Sequence, residues 1–129
     1  MENTQPKVLI VDDDKFLLNM YSIKFSKNGF LVDSAVSGDE ALKKIREGYE
    51  PNIILLDIVM PGMDGFDVLE AIKKEGIAQK ALVIMLTNQG QLADIEKAKS
   101  YGVGGYIIKA TTIPSEVVEE VTRIYNLKK

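Results

Sequence analysis

Residues 53–65 read IILLDIVMPGMDG. Four branched aliphatic residues, Ile53–Leu56, stop abruptly at Asp57. A run this short and this uniformly apolar suits a strand buried on both faces, as in a parallel sheet with helices above and below. Pro61, Gly62 and Gly65 predict a loop after it. Asp64 stands where a helix cap belongs, and Phe66, Leu69 and Ile72 follow at helical spacing until Gly76. The unit is a strand, a polar residue at its C-terminal end, a loop and a helix.

The same unit recurs on both sides. KVLIV (7–11) runs into Asp12, Asp13 and Asp14, and a helix carrying Leu17, Met20, Tyr21 and Phe25 closes at Asn28-Gly29. LVDSAV (31–36) is less uniformly apolar and predicts a strand nearer an edge. Ser37 and Glu40 have the spacing of a capping box, ahead of a helix with Ala41, Leu42 and Ile45 that stops near Gly48. LVIML (82–86) ends at Thr87, and a weaker helix with Leu92, Ile95 and Ala98 precedes Gly102. YII (106–108) ends at Lys109. Pro114 suits the first turn of a last helix, whose stripe is Val117, Val118, Val121, Ile124 and Tyr125. Five strands alternating with five helices predict an α/β fold of right-handed βαβ units, a parallel sheet covered on both faces. The segments share a pattern and not a sequence, so this is no tandem repeat.

A chain of 129 residues fits one domain, expected over 1–129 with its core at about 6–126. It contains no cysteine and no histidine. Thiol chemistry, disulfides, zinc sites built on those ligands and Ser-His-Asp catalysis are excluded. The net charge of −3, with no basic run, argues against direct nucleic-acid binding. No apolar stretch approaches the roughly 20 residues that span a bilayer. The opening MENTQPK lacks the apolar core of a signal peptide, so a cytoplasmic location is the default expectation.

The polar residues fall at strand ends: Asp12 and Asp13 after the first, Asp57 after the third, Thr87 after the fourth, Lys109 after the fifth. In a parallel sheet these ends share one edge, where open α/β sheets bind ligands. Clustered carboxylates repel one another and call for a cation. A hard divalent ion such as Mg²⁺ fits oxygen ligands, one or two of them carboxylates, with phosphate oxygens beside them. With the Lys109 ammonium and the Thr87 hydroxyl this set makes a trap for a phosphoryl group, whose transfer needs mainly positioning and charge neutralisation. Singly, each residue has a plainer reading. The Asp run also suits a solvated loop or helix cap, Asp57 and Thr87 suit ordinary strand ends, Lys109 a surface lysine, and Tyr106 core packing.

VLIVDDD (8–14), LLDIVMPGMDG (55–65), Leu86-Thr87 and YIIK (106–109) together resemble the receiver domains of bacterial response regulators over nearly the whole chain. The resemblance implies a doubly wound, flavodoxin-like (βα)5 fold with strand order 2-1-3-4-5, the order of the chemotaxis receivers. It implies Asp57 as the phosphoacceptor. Asp12 and Asp13 become the Mg²⁺-binding acidic pair, Asp13 the likelier direct ligand, with Asp57 and the backbone carbonyl of Val59 sharing the ion. Thr87 becomes the switch hydroxyl, Lys109 the lysine that pairs with the phosphate, and Tyr106 the switch aromatic. The implied partners are a histidine kinase or phosphotransfer protein as donor and a downstream effector protein, with a homodimer on activation as an option. The output face is expected around Ile95, Lys99, Tyr106, Val118 and Arg123.

Three positions depart from the family pattern. Ala110 replaces the proline that usually follows the lysine in a cis bond, and cis costs about 2.5–4 kcal/mol before a non-proline, so a trans bond is expected. Asn88 stands in place of a small residue and is expected to narrow access to the phosphoryl site. Val59 and Gln89 flank the path of the hydrolytic water, and an apolar residue at 59 cannot orient it, so slow hydrolysis is expected. Two rival functions stay open at this point. One is a pseudo-receiver, an interaction module that is not phosphorylated. The other is a flavodoxin-like electron carrier, against which stands the repulsion between Asp12–Asp14 and an FMN phosphate.

Overall fold

The computed structural model describes residues 5–128. Strands β1 (Lys7–Val11), β2 (Leu31–Ala35), β3 (Ile53–Leu56), β4 (Leu82–Thr87) and β5 (Gly105–Ile108) alternate with helices α1 (Lys15–Lys27), α2 (Gly38–Arg46), α3 (Gly65–Glu75), α4 (Leu92–Ser100) and α5 (Pro114–Lys128). All pairings are parallel, in the order β2-β1-β3-β4-β5. This is the expected doubly wound α/β fold, with β2 at an edge.

Side chains alternate across each strand, which divides the core into two layers. Val8, Ile10, Ile53, Leu55 and Ile84 pack with Phe25 of α1 and with Val117 and Val121 of α5. Leu9, Val11, Ile54, Leu56 and Met85 pack on the other face with Leu42 of α2, Leu69 of α3 and Ala98 of α4. Strand order reverses at β1, so the crevice between the C-terminal ends of β1 and β3 is the switch point.

Local details differ from the sequence reading. On α1 the buried residues are Leu18, Tyr21 and Phe25, while Leu17 and Met20 are only half-buried. At α2 the Ser37 hydroxyl accepts from the Glu40 amide at 3.1 Å, but Glu40 reaches the amide of Val36 at 3.3 Å and not that of Ser37. The full capping box lies at α3, where Asp64 and Asp67 each accept from the other's amide. α4 is weakly anchored: Ala98 is its only buried residue, Leu92 is exposed and its N-terminus has no side-chain cap. Val118 was expected on the output face, but it is 4% exposed and belongs to the core. Consecutive valines at 117 and 118 are both buried because α5 packs against α1 as well as against the sheet.

Candidate functional site: an acidic pocket at the switch point

Backbone pairing continues one residue past the strands. The Asp12 amide donates to the Ala35 carbonyl at 3.1 Å, and the Asp57 amide to the Val11 carbonyl at 3.1 Å. The sheet thus fixes both aspartates at its edge. Among the described residues, Asp12, Asp57 and Thr87 are the buried polar side chains.

The three consecutive aspartates have three fates. Asp12 is buried, and its Oδ1 accepts from the Asp14 amide at 2.9 Å. Asp13 is exposed at the mouth of the pocket. Asp14 caps α1, accepting from the amides of Phe16 and Leu17 at 3.0 and 3.1 Å. The helix-cap reading therefore holds for Asp14 alone. Carboxylate oxygens of Asp12, Asp13 and Asp57 all lie within 4.8 Å of one another.

Asp57 divides its two oxygens. Oδ1 accepts from the Ile58 amide at 2.7 Å, and Oδ2 accepts from Lys109 Nζ at 2.9 Å. Lys109 also donates to Asp12 Oδ2 at 2.5 Å. These ion pairs are enclosed: the side chains of Lys109, Asp12 and Asp57 are 9%, 3% and 9% exposed. Burial is the largest influence on Asp12, and it raises the pKa despite the opposing pull of Lys109. Burial is also the largest single influence on Lys109, pushing its pKa down, but the hydrogen bonds and charges of Asp12 and Asp57 together outweigh it and hold the ammonium form. One ammonium thus lies between two enclosed carboxyl groups.

Thr87 is fully buried at the end of β4, and its Oγ1 accepts from the Gln89 amide at 3.3 Å. The Tyr106 hydroxyl donates to the Gln89 carbonyl, so a half-buried ring on β5 is tied to the β4–α4 loop. Lys109 opens a short 3-10 turn, Lys109–Thr111, and the Lys109–Ala110 bond is trans, since no described peptide bond is cis. Asn88 accepts at Oδ1 from the Ala110 amide at 2.8 Å, a contact the sequence reading did not foresee. The Val59 side chain is 57% exposed, just beyond Asp57. A second missed residue is Gly65, whose amide donates to the Ile58 carbonyl at 2.8 Å.

The donor set suits a hard cation. Three carboxylates converge, without the nitrogen or sulfur ligands that favour zinc or copper.

The geometry agrees with comparisons to known proteins. A family profile described as the response regulator receiver domain matches residues 8–122. The chain belongs to the response regulator receiver domain family. This receiver domain is 36% identical over 109 residues to the chemotaxis protein CheY of Halobacterium salinarum, covering 84% of this chain and 88% of that protein. It is 34% identical over 122 residues to the transcriptional regulatory protein ResD of Bacillus subtilis, covering 93% of this chain and 48% of ResD. The solved chemotaxis protein CheY4 of Vibrio cholerae superposes with a TM-score of 0.85 at 27% identity, over 94% of this chain and 99% of that one. The chain spans about half the length, 43%, of the first transcriptional regulators it matches. Membership of this family displaces the electron-carrier reading. No helix among the described residues is long and apolar enough to cross a membrane.

Proposed function

We propose that this receiver domain, a single unit over the whole chain, accepts a phosphoryl group on Asp57 with Mg²⁺ bound, and signals by changing the surface it offers a partner. The observation that carries the reading is the state of Asp57. It is a buried carboxylate with one oxygen held by a backbone amide and the other by an ammonium, inside a cluster of metal-type oxygens.

The donor is a phosphohistidine of a histidine kinase or phosphotransfer protein. An Asp57 oxygen attacks phosphorus, the P–N bond breaks, and the electron pair leaves with the imidazole. Asp57 acts here as a phosphoacceptor rather than as an enzyme turning over free substrate. Asp12, Asp13, Asp57 and the Val59 carbonyl would hold the magnesium ion, which neutralises charge on the phosphoryl oxygens when bound. Lys109 pairs with the Asp57 carboxylate and then with the new phosphoryl charge. The Thr87 hydroxyl turns toward that charge, and Tyr106 takes up the space it leaves. The face around Ile95, Lys99, Tyr106 and Arg123 then shifts in population between two states, toward a downstream effector protein or a second copy of the domain. The domain acts in the cytoplasm.

The test is intact mass after incubation with Mg²⁺ and acetyl phosphate. A gain of one phosphate is expected in the unaltered protein and none in Asp57→Asn or after chelation. A folded protein that gains no phosphate from acetyl phosphate or from a kinase is a pseudo-receiver.

The phosphorylated form is expected to be long-lived. Val59 is exposed and apolar beside Asp57, so it offers no hydrogen bond to an attacking water. Val59→Asn is expected to hasten loss of the label roughly several-fold, the size of one hydrogen bond to the attacking water. Rapid loss from the unaltered protein, with no change in Val59→Asn, would contradict this.

A further inference from the structure

We propose that Asn88 is a positioning residue that clasps the Thr87 turn to the Lys109 turn through the amide of Ala110. The inference rests on the phosphoacceptor reading above and goes beyond it by assigning a task to two positions where this chain departs from its family.

Two residues of the site end neighbouring strands: Thr87 closes β4 and Lys109 follows β5. The next residue in each case is a clasp partner, and Asn88 Oδ1 accepts from the Ala110 amide at 2.8 Å. This joins loops 22 residues apart, directly beside the two side chains that must act together.

The local chain explains why the bond forms. Lys109–Thr111 is a single 3-10 turn entered from an extended Ile108. The first amides of such a turn have no partner within it. Neither flanking residue, Ile108 nor Thr112, offers a side-chain cap; instead Asn88 supplies the acceptor from across the sheet edge. A proline at 110 would carry no N–H to give, and it would disfavour the helical conformation of Lys109 before it. Ala110 provides the donor and permits the turn, while Asn88 provides the acceptor. The two departures are thus one feature.

The clasp joins a wider set of ties on the same loop. The Gln89 amide donates to Thr87 Oγ1, and the Gln89 carbonyl accepts from the Tyr106 hydroxyl. Residues 87–89 are therefore fastened to β5 and its following turn at two separate points. Lys109 must reach two carboxylates at once, 2.5 Å from Asp12 and 2.9 Å from Asp57, so small displacements of its backbone disturb both. Asn88 and Ala110 are themselves exposed, and their bond contributes little to global stability. Its effect is on geometry.

The experiment compares the unaltered full chain with Asn88→Ala, Ala110→Pro, the two combined, and Ala110→Gly, which keeps the amide. Three quantities are read: the rate of phosphate uptake from acetyl phosphate with Mg²⁺, hydrogen exchange at residue 110 where an amide remains, and the thermal midpoint. Asn88→Ala is expected to slow uptake about fivefold, the size of one neutral hydrogen bond. Exchange at the Ala110 amide should quicken by a similar factor, with the thermal midpoint nearly unchanged. In the Ala110→Pro background, Asn88→Ala should change uptake no further, because the donor is already gone. Ala110→Gly should label close to the unaltered rate. Uptake that is normal in Asn88→Ala, or single effects that multiply in the double variant, would overturn the clasp. Absence of uptake in the unaltered protein would instead overturn the phosphoacceptor reading. The Ala110 exchange rate would then decide the clasp alone: no change in Asn88→Ala overturns it, and faster exchange supports the contact.

Discussion

Lys109→Ala is expected to lower folding stability by about 3 kcal/mol in metal-free solution, the lower end of the cost of breaking a buried ion pair. One ammonium serves two enclosed carboxylates, at 2.5 and 2.9 Å. Its removal leaves Asp12 and Asp57 facing each other with Asp13 nearby and no cation between them. Asp12 already has a raised pKa because burial outweighs Lys109, and without Lys109 that pKa rises further. A carboxylate whose pKa is higher folded than unfolded binds more protons in the folded state, so stability rises as pH falls through that window. The deficit of Lys109→Ala should therefore narrow on acidification below neutral, because a protonated Asp12 needs no partner. Mg²⁺ gives a second check. The ammonium neutralises Asp12 and Asp57, two of the three carboxylates that would hold a divalent ion, so the two cations compete for the same negative charge. Added Mg²⁺ should then stabilise Lys109→Ala more than the unaltered protein, following the ordinary dependence of stability on ligand concentration over dissociation constant. Urea unfolding with and without Mg²⁺ measures this. Equal metal stabilisation of both proteins would show that ammonium and ion do not compete. Phosphate uptake should nearly vanish in Lys109→Ala even at saturating Mg²⁺, because a metal cannot replace a cation aimed at Asp57 Oδ2.

The site's residues were legible in the sequence for a physical reason. Strands buried on both faces are uniformly apolar, so the first polar residue after each run stands out, and Asp12, Asp57, Thr87 and Lys109 were found that way. Their convergence followed from the parallel sheet. The strand order came from the family resemblance, since hydrophobic periodicity does not encode which strands are neighbours. Finer points were less legible. Leu17 and Leu18 are adjacent and both suit a helical stripe, so only packing decides that Leu18 is the buried one. Asp12, Asp13 and Asp14 are chemically identical, and the turn geometry alone makes them pocket, mouth and cap. Glu40 reaches Val36 and not Ser37, one residue from the expected capping partner. The Asn88–Ala110 bond joins loops distant in the chain, and no spacing rule reports it. A hint was present, since both positions broke the family pattern together.

Gly65→Ala is expected to damage the site from outside it. Gly65 begins α3, and its amide donates to the Ile58 carbonyl at 2.8 Å, which brings the helix start against the backbone of the Asp57 loop. A Cβ at this position would overlap the Asp57 carbonyl oxygen and lie 2.9 Å from the Ile58 Cα. Both obstacles are backbone, so no side chain can swing away, and either α3 or the Asp57 loop must move. The cost is about 2–3 kcal/mol, in the range for forcing extra volume into a packed interior. Gly62 is a control three residues away with the opposite problem. It adopts a left-handed φ of +77° and has open space around it, so Gly62→Ala is strained without being crowded. That strain costs about 1–2 kcal/mol and is confined to the loop. The two variants should therefore part on function more than on stability. Gly62→Ala should take up phosphate at close to the unaltered rate. Gly65→Ala should be slowed by about a hundredfold, as for a displacement near 1 Å of a reacting group. The measurement belongs at a temperature where both remain folded, which separates displacement of Asp57 from loss of fold. If folded Gly65→Ala labels normally, α3 absorbs the methyl by tilting, and the Asp57 loop is held by the sheet alone.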